Sequence, residues 1–363
     1  MKLKGNEKIL IIKPSALGDV LHALAVAGEI KKVYPDVCIS WVVNREYAEL
    51  LDNNPVIDKV YVFERRKWGR KRRVLKTASE FLKLIQSVRN AHYDCLIDLQ
   101  GLLRSGLITI FSGAKIKIGL SDAREGSRLA YKHLITVHDK KRHAVDRYLK
   151  TVRYFGIEPE CPNRIAFPLK WNQSVNDAVE QIFRNHGLTD GSLKIALNPN
   201  ARWDTKCWPF EYFAQLADML YEKMNAQIVF VGSPSDRSNI DKILSAMNHK
   251  PVDAVGKTSL LELAALLARM DCLVTNDSGP MHMSVAVGTP VVALFGPTDP
   301  AKTGPYGEGH VVIQKELACG ACMKRSCLNR QCMSDITVEE VFEHVENLIS
   351  DHRKYTAGFA RHL

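Results

Sequence analysis

The chain has 363 residues, 46% hydrophobic and 25% charged, with a formal net charge of +10. That length exceeds one ordinary core and implies two domains, and no apolar run is long enough to span a bilayer. Residues 1–170 hold 32 Lys and Arg against 18 Asp and Glu, and residues 171–363 hold 18 against 22, so the positive excess lies wholly in the first half. Such asymmetry points that half towards something anionic: nucleic acid, a membrane surface or a phosphorylated substrate.

Taken in order, "KILIIK" (8–13) reads as a buried strand, too short for a secretory signal. Its nine cysteines are then expected to stay reduced in the cytoplasm unless they bind metal. A helix follows from about Asp19 to Tyr34, stopped by Pro35. "CISWVV" (38–43) and "KVYVFE" (59–64) are further strands, and a helix near 77–91 leads into "DCLIDLQG" (94–101). "LLRSGLITIFSG" reads as a helix and "KIKIGL" (115–120) as a strand. This alternation implies a parallel sheet with helices on both faces.

The Pro-marked stretch "GIEPECPNRIAFPLK" (156–170) is the expected linker. Strands are then predicted at "KIALNP" (194–199), "QIVFVG" (227–232), "VDAVG" (252–256), "DCLVTND" (271–277) and "PVVALFG" (290–296), with helices between them. A last helix starts at Thr337, where T-V-E-E forms a capping box with Glu340. The expected class is α/β, two facing doubly wound Rossmann-like domains with a ligand cleft between them. The boundaries read as 1–165 and 170–349, with residues 350–363 returning to the first domain.

Three loops carry candidate chemistry. In "KPSALGDVLH" (13–22) a lone Asp19 stands where a glycine-rich phosphate loop would otherwise be, and the G-x-G-x-x-G pattern is absent. In "VTNDSGPMHM" the strand ends at Asn276 and Asp277, Ser278 suits an N-cap and Pro280 the first helical turn. The N–H groups of Ser278, Gly279 and Met281 would converge on an anion site suited to a diphosphate, with His282 beside it; an ordinary strand–helix turn is the alternative. "NPNARWDTKCWP" puts Arg202 and Lys206 at the same edge, where a cation could neutralise a diphosphate or simply be solvated. Asp236, in "VGSPSD", could accept hydrogen bonds from ribose hydroxyls.

Two clusters are less specific. "RRKWGRKRR" (65–73) has seven basic residues in nine, a patch for an anionic partner or a solvated loop. Cys319, Cys322, Cys327 and Cys332 could close a tetrahedral structural zinc site or remain four reduced thiols. Cys38, Cys95 and Cys272 sit in strand patterns and are expected in the core.

Taken together, "KPSALGDVLHAL", "DLQGLLRSG", "SDAREGSRLAY", "RHAVDRY", "TKCWP", "NDSGPMHM" and "LFGPTDP", in this order and spacing, resemble glycosyltransferase family 9, the ADP-heptose:lipopolysaccharide heptosyltransferases. The resemblance runs from about Lys8 to the last helix. "SDAREG", the basic run and "RHAVDR" are more similar to heptosyltransferase I, the cysteine cluster to heptosyltransferase II.

The resemblance implies a GT-B fold, with the sugar nucleotide held mainly by the C-terminal domain and the acceptor by the N-terminal one. It implies inverting transfer of heptose from ADP-heptose to a Kdo-lipid A inner core, at the anionic inner-membrane surface of a Gram-negative bacterium. No cofactor is required, and any zinc would be structural. Asp19 matches the family's catalytic aspartate, although a helix cap is the simpler use of that residue. Lys206 matches the lysine set against the ADP phosphates, and Asp277 through His282 the nucleotide-binding turn. Heptosyltransferase I has neighbouring threonines before that lysine; here Asn200 and Ala201 stand there, with Asn200 able to substitute as a donor. Arg70, Arg72 and Arg73 of the basic run are expected near the acceptor, and Arg124, His143 and Arg147 match family positions there. A family 9 enzyme with another donor or acceptor and a GT-B sugar-nucleotide epimerase are the alternatives. A nucleic-acid partner is not expected, since Trp68 alone gives thin stacking support.

Overall fold

The computed structural model describes residues 2–63, 74–139, 141–189 and 191–359, without the side chains of 74–77 and 353–359. The basic run 65–73, with Arg70, Arg72 and Arg73, therefore lies outside the described residues. The chain divides into two compact units, Met1–Lys170 and Trp171–Leu363.

The first unit runs β1 (Lys8–Ile12), α1 (Leu17–Val33), β2 (Cys38–Asn44), β3 (Lys59–Phe63), α2 (Val74–Asn90), β4 (Cys95–Asp98), α3 (Leu103–Phe111), β5 (Ile116–Leu120), β6 (His133–Ile135) and α4 (Ala144–Leu149). Its strands form one six-stranded sheet in the order β3-β2-β1-β4-β5-β6, parallel throughout. β1 is central, and Ile9 to Ile12 are fully buried, which is why its sequence is a continuous apolar run rather than an alternating one. α1 is apolar almost all round, and Val20 to Ala27 are buried, as a helix packed on several sides requires.

The second unit runs α5 (Gln173–His186), β7 (Lys194–Asn198), α6 (Phe210–Met224), β8 (Gln227–Phe230), α7 (Arg237–Ala246), β9 (Val252–Asp253), α8 (Leu260–Leu267), β10 (Cys272–Asn276), α9 (Gly279–Ala286), β11 (Val291–Phe295), α10 (Pro300–Thr303), β12 (Val311–Gln314), α11 (Gln331–Ser334) and α12 (Val338–Phe359). Its sheet has the order β12-β11-β10-β7-β8-β9, again all parallel. Trp208, Phe213, Phe230, Val274, Leu294 and Val341 belong to its main core. Both units are doubly wound. Their strand order reverses between β1 and β4 in one and between β7 and β10 in the other, the switch points where such sheets bind ligands.

Several expectations shift. α1 begins at Leu17, so Asp19 is its third residue rather than its start. The edge strands β6 and β12 are additions of three and four residues, and β9 keeps only two. Cys95 and Cys272 are buried as expected, but Cys38 is exposed, because it opens β2 at the outer end of the sheet. Thr337 does cap the last helix, its Oγ1 accepting the Glu340 N–H at 3.2 Å. α12 continues to Phe359; residues 360–363 lie outside the described residues.

Candidate active site

At the switch point of the first sheet, β1 delivers Lys13 and β4 delivers Asp98. The Lys13 side chain is only 4% exposed. Its Nζ donates to the Leu99 carbonyl at 3.2 Å, linking the ends of the two strands, and to the Tyr148 hydroxyl at 2.8 Å. Tyr148, from α4, donates in turn to Asp19 Oδ1 at 2.8 Å, and Lys13 Nζ lies 3.4 Å from that oxygen. Asp19 Oδ2 accepts the Ala16 N–H at 3.1 Å, so the capping role foreseen for Asp19 exists and uses one oxygen only.

The Asp19 side chain is 39% exposed, open enough to meet a substrate. Desolvation opposes its ionisation, but the Lys13 charge, the Tyr148 hydroxyl and the Ala16 N–H outweigh it and hold the carboxyl below its ordinary value. Burial, then the Asp19 charge, pushes the Tyr148 phenol well up, so it stays protonated and can only donate to the carboxylate. The result is an ionised, oriented carboxylate, a base at neutral pH whose basicity is reduced by its own stabilisation.

Asp98, at the end of β4, is fully buried. It accepts the Gln100 and Gly101 N–H groups at 2.9 and 3.0 Å and the Tyr131 hydroxyl at 2.7 Å. Burial nonetheless raises its carboxyl above the usual value. Tyr131 reaches it across Gly119, where any Cβ would come 2.3 Å from the ring; a side chain there would displace the tyrosine. Arg147 is ion-paired with Asp122, while its Nε is buried without a hydrogen-bond partner. His143 caps α4, its Nδ1 accepting the Val145 N–H at 3.2 Å, and its ring lies 5.1 Å from that of the buried His22. Arg124 is exposed in the turn after β5, with its N–H on the Gly101 carbonyl at 2.8 Å.

At the switch point of the second sheet, Lys206 Nζ binds Asp277 Oδ2 at 2.6 Å, with the two side chains 16% and 7% exposed. Thr298 donates to the same oxygen at 2.7 Å. Asp277 therefore orients the lysine. The Lys206 ammonium also lies over the Trp203 ring, 4.7 Å from its centroid, a cation–π contact. Asn198, ending β7, donates to Ser278 Oγ at 2.7 Å and to Thr275 Oγ1 at 2.9 Å. Asn276, ending β10, donates to the Pro199 carbonyl at 2.8 Å and accepts the Trp208 N–H at 3.1 Å. These bonds tie the loop 199–208 to the N-terminus of α9.

Ser278 is the N-cap residue of α9 and Pro280 lies in its first turn, as expected. Its side chain does not cap, so the first-turn N–H groups of Gly279 and Met281 have no partner within the helix. Asn200 is buried, with Oδ1 on Asn239 at 3.1 Å and Nδ2 buried without a hydrogen-bond partner, a donor in waiting beside Arg202, which is exposed. His282 stands in α9. Asp236 closes a short turn, Oδ2 accepting from Ser233 N and Oγ at 2.7 Å each.

Among the described residues no three His, Cys, Asp or Glu side chains are gathered to hold an ion. Cys319 and Cys327 are exposed, Cys322 and Cys332 half-buried, and the Cys327 thiol donates to the Asn329 carbonyl at 2.8 Å. Burial, then the neighbouring Cys319, Cys322 and Cys327, pushes the Cys332 thiol up, so the four thiols are neighbours. Lys13, Tyr148, Trp203 and Thr298 are the site residues that the sequence does not announce. Lys13 alone had a local signal, its place directly after β1.

An oriented carboxylate in one doubly wound unit, and a paired lysine with a free helix N-terminus in the other, suit an enzyme that moves a group from an activated phosphate ester. Residues 81–333 match the model of glycosyltransferase family 9 (heptosyltransferase). The chain belongs to that family and is a glycosyltransferase. It is 27% identical to the lipopolysaccharide core heptosyltransferase OpsX of Haemophilus influenzae, over 94% of this chain and 97% of that one. The structure of a family 9 glycosyl transferase from Veillonella parvula matches with a TM-score of 0.82 and 27% identity, covering 95% of this chain and 97% of that one. The ADP-heptose LPS heptosyltransferase II of E. coli matches with a TM-score of 0.76 and 25% identity, covering 95% and 99%. The fold class is α/β, GT-B.

Proposed function

We propose that the protein transfers a heptose from ADP-heptose to the Kdo-lipid A inner core of lipopolysaccharide, with inversion and without a metal cofactor. The observation that carries this reading is Asp19, a partly exposed carboxylate kept ionised by Lys13, Tyr148 and Ala16. An acceptor hydroxyl attacks the anomeric carbon while its proton passes to Asp19, and the bond from that carbon to the diphosphate oxygen breaks. Lys206, Arg202 and the N–H groups of Ser278, Gly279 and Met281 receive the charge of the departing ADP. With Lys206 and Arg202 to take up that charge, the reaction as read here needs no divalent ion.

The donor reading is supported by the name of the E. coli relative, an ADP-heptose enzyme. The acceptor reading is supported by the lipopolysaccharide core named for the H. influenzae relative and by the basic first half. Arg70, Arg72, Arg73, Arg124, His143 and Arg147 suit phosphates and Kdo carboxylates there, and an anionic inner-membrane surface in which those lipids sit. No helix among the described residues is long and apolar enough to cross a membrane, and the reading is of peripheral attachment by charge. "SDAREG" and "RHAVDR" favour transfer of the first heptose. ADP release is to be measured with ADP-heptose and either Kdo-lipid A or heptosyl-Kdo-lipid A. Turnover with the first acceptor alone supports the reading, turnover with the second alone moves the enzyme one step later, and turnover with neither overturns it.

A further inference from the structure

The cysteine-bearing loop, residues 317–330, has no part in the chemistry above, yet it holds the turn that presents Lys206. Three consecutive residues before that lysine each have a partner on the loop. The Arg325 guanidinium lies over the Trp203 ring, 4.8 Å from its centroid. Arg330 Nη1 binds Asp204 at its carbonyl (3.2 Å) and at Oδ2 (3.0 Å). Thr205, itself buried, donates to the Lys324 carbonyl at 2.9 Å. The loop is anchored behind these contacts. The Met323 N–H bonds the Pro297 carbonyl at 2.8 Å, next to the Thr298 that holds Asp277. At Gly296 a Cβ would meet the Met333 sulfur at 2.6 Å and the Cys332 sulfur at 3.0 Å, so the chain there is packed as close as a glycine permits.

We infer that this loop is a strap that fixes the Lys206 turn for the donor diphosphate, with Arg325 as a positioning residue acting through Trp203. One indole carries both cations, Lys206 at 4.7 Å and Arg325 at 4.8 Å. The ring is thereby held in place by an exposed arginine that is not itself paired to Asp277, and it supports the lysine that is. A strapped turn holds the ammonium in one geometry before the donor arrives, which lowers the ordering cost of binding. This inference rests on the donor site proposed above.

The test is a double-mutant cycle read by calorimetric ADP binding and by steady-state kinetics. Arg325→Ala should weaken ADP and raise the KM for the sugar nucleotide by about 3- to 30-fold, the range of one cation–π contact, with a smaller change in kcat. Arg325→Lys, which keeps a cation over the ring, should recover most of the loss. In a Lys206→Ala background, Arg325→Ala should change nothing further, since its effect runs through Lys206. Additive losses would make Arg325 a direct phosphate ligand and overturn the positioning role, and wild-type ADP affinity in a folded Arg325→Ala protein would overturn the strap. If Lys206→Ala itself leaves ADP affinity unchanged, the donor-site reading fails first and the two failures are told apart.

Discussion

The two sheets reverse strand order in the same way, and the groups they gather at the reversal are opposites. In the first unit the buried partner is a cation, Lys13, and the exposed one a carboxylate, Asp19 at 39%. In the second the more buried partner is a carboxylate, Asp277 at 7%, and the more open one a cation, Lys206 at 16%. Each pair therefore presents one charge outward and braces it with the other behind. A presented carboxylate can accept a proton; a presented ammonium can accept phosphate charge. The same topology serves both roles because its switch point supplies only strand ends and helix starts, and the side chains placed there decide the chemistry.

The comparison breaks most readily at Asp19. Asp19→Asn keeps the shape and one accepting oxygen but cannot take a proton, so kcat should fall by roughly 10²–10⁴ while ADP affinity stays unchanged. Lys13 would then be a buried cation without its counter-charge, so thermal stability should drop as well, by about 1–3 kcal/mol. If Asp19 serves only as a helix cap, the Asn variant will turn over at the wild-type rate.

Charge separates the two units next. Residues 1–170 are strongly basic and 171–363 slightly acidic, and that division coincides with the boundary of the compact units. Neutralising Arg70, Lys71, Arg72 and Arg73 together should raise the KM for a lipid-embedded acceptor by roughly 10³-fold, since each cation near an anionic bilayer contributes about 1 kcal/mol. ADP affinity should not move. A loss of donor binding instead would assign the ligands to the units the other way round.

Lys206→Ala should weaken ADP by roughly 10- to 100-fold, the value of one charged hydrogen bond. Part of that loss is repulsion, because Asp277 is left facing the diphosphate alone. Adding Asp277→Asn should therefore restore some affinity, and no restoration would mean that Asp277 does not act through the lysine.

What the sequence disclosed is what is local. The apolar run of β1, the turn at 276–282 and the loop carrying Lys206 are each contiguous, so strand, cap and cation can be read from neighbours. The partners are not contiguous. Tyr148 is 129 positions from Asp19 and Thr298 is 21 from Asp277, and nothing in either segment names the other. α1 starts early at an alanine N-cap, which carries no Ser or Thr signal; Asp19 in its first turn bonds back to the Ala16 N–H. The cysteine spacing was plain, but whether four thiols converge depends on the loop's anchors at Pro297 and Asp204, which spacing does not encode.

The finest test of the contrast is Lys13→Met, which keeps the length of the side chain and removes its charge. In the native protein Asp19 titrates below its ordinary value, with desolvation opposing and Lys13, Tyr148 and Ala16 prevailing. The carboxylate form is then favoured by folding. Its contribution to stability is complete above the unfolded carboxyl's range, near pH 4, and is lost as pH falls through the lower native value. Without Lys13, desolvation is opposed only by hydrogen bonds, and the Asp19 pKa should rise. The acid limb of kcat/KM, which reports the free enzyme's base, should move to higher pH by the same amount, and the acid-side loss of stability should become shallower. On the donor assignment proposed above, ADP affinity should stay level across the same range. An unmoved acid limb would show that Lys13 does not set the ionisation of Asp19, and the brace would then be the Tyr148 hydroxyl and the Ala16 N–H.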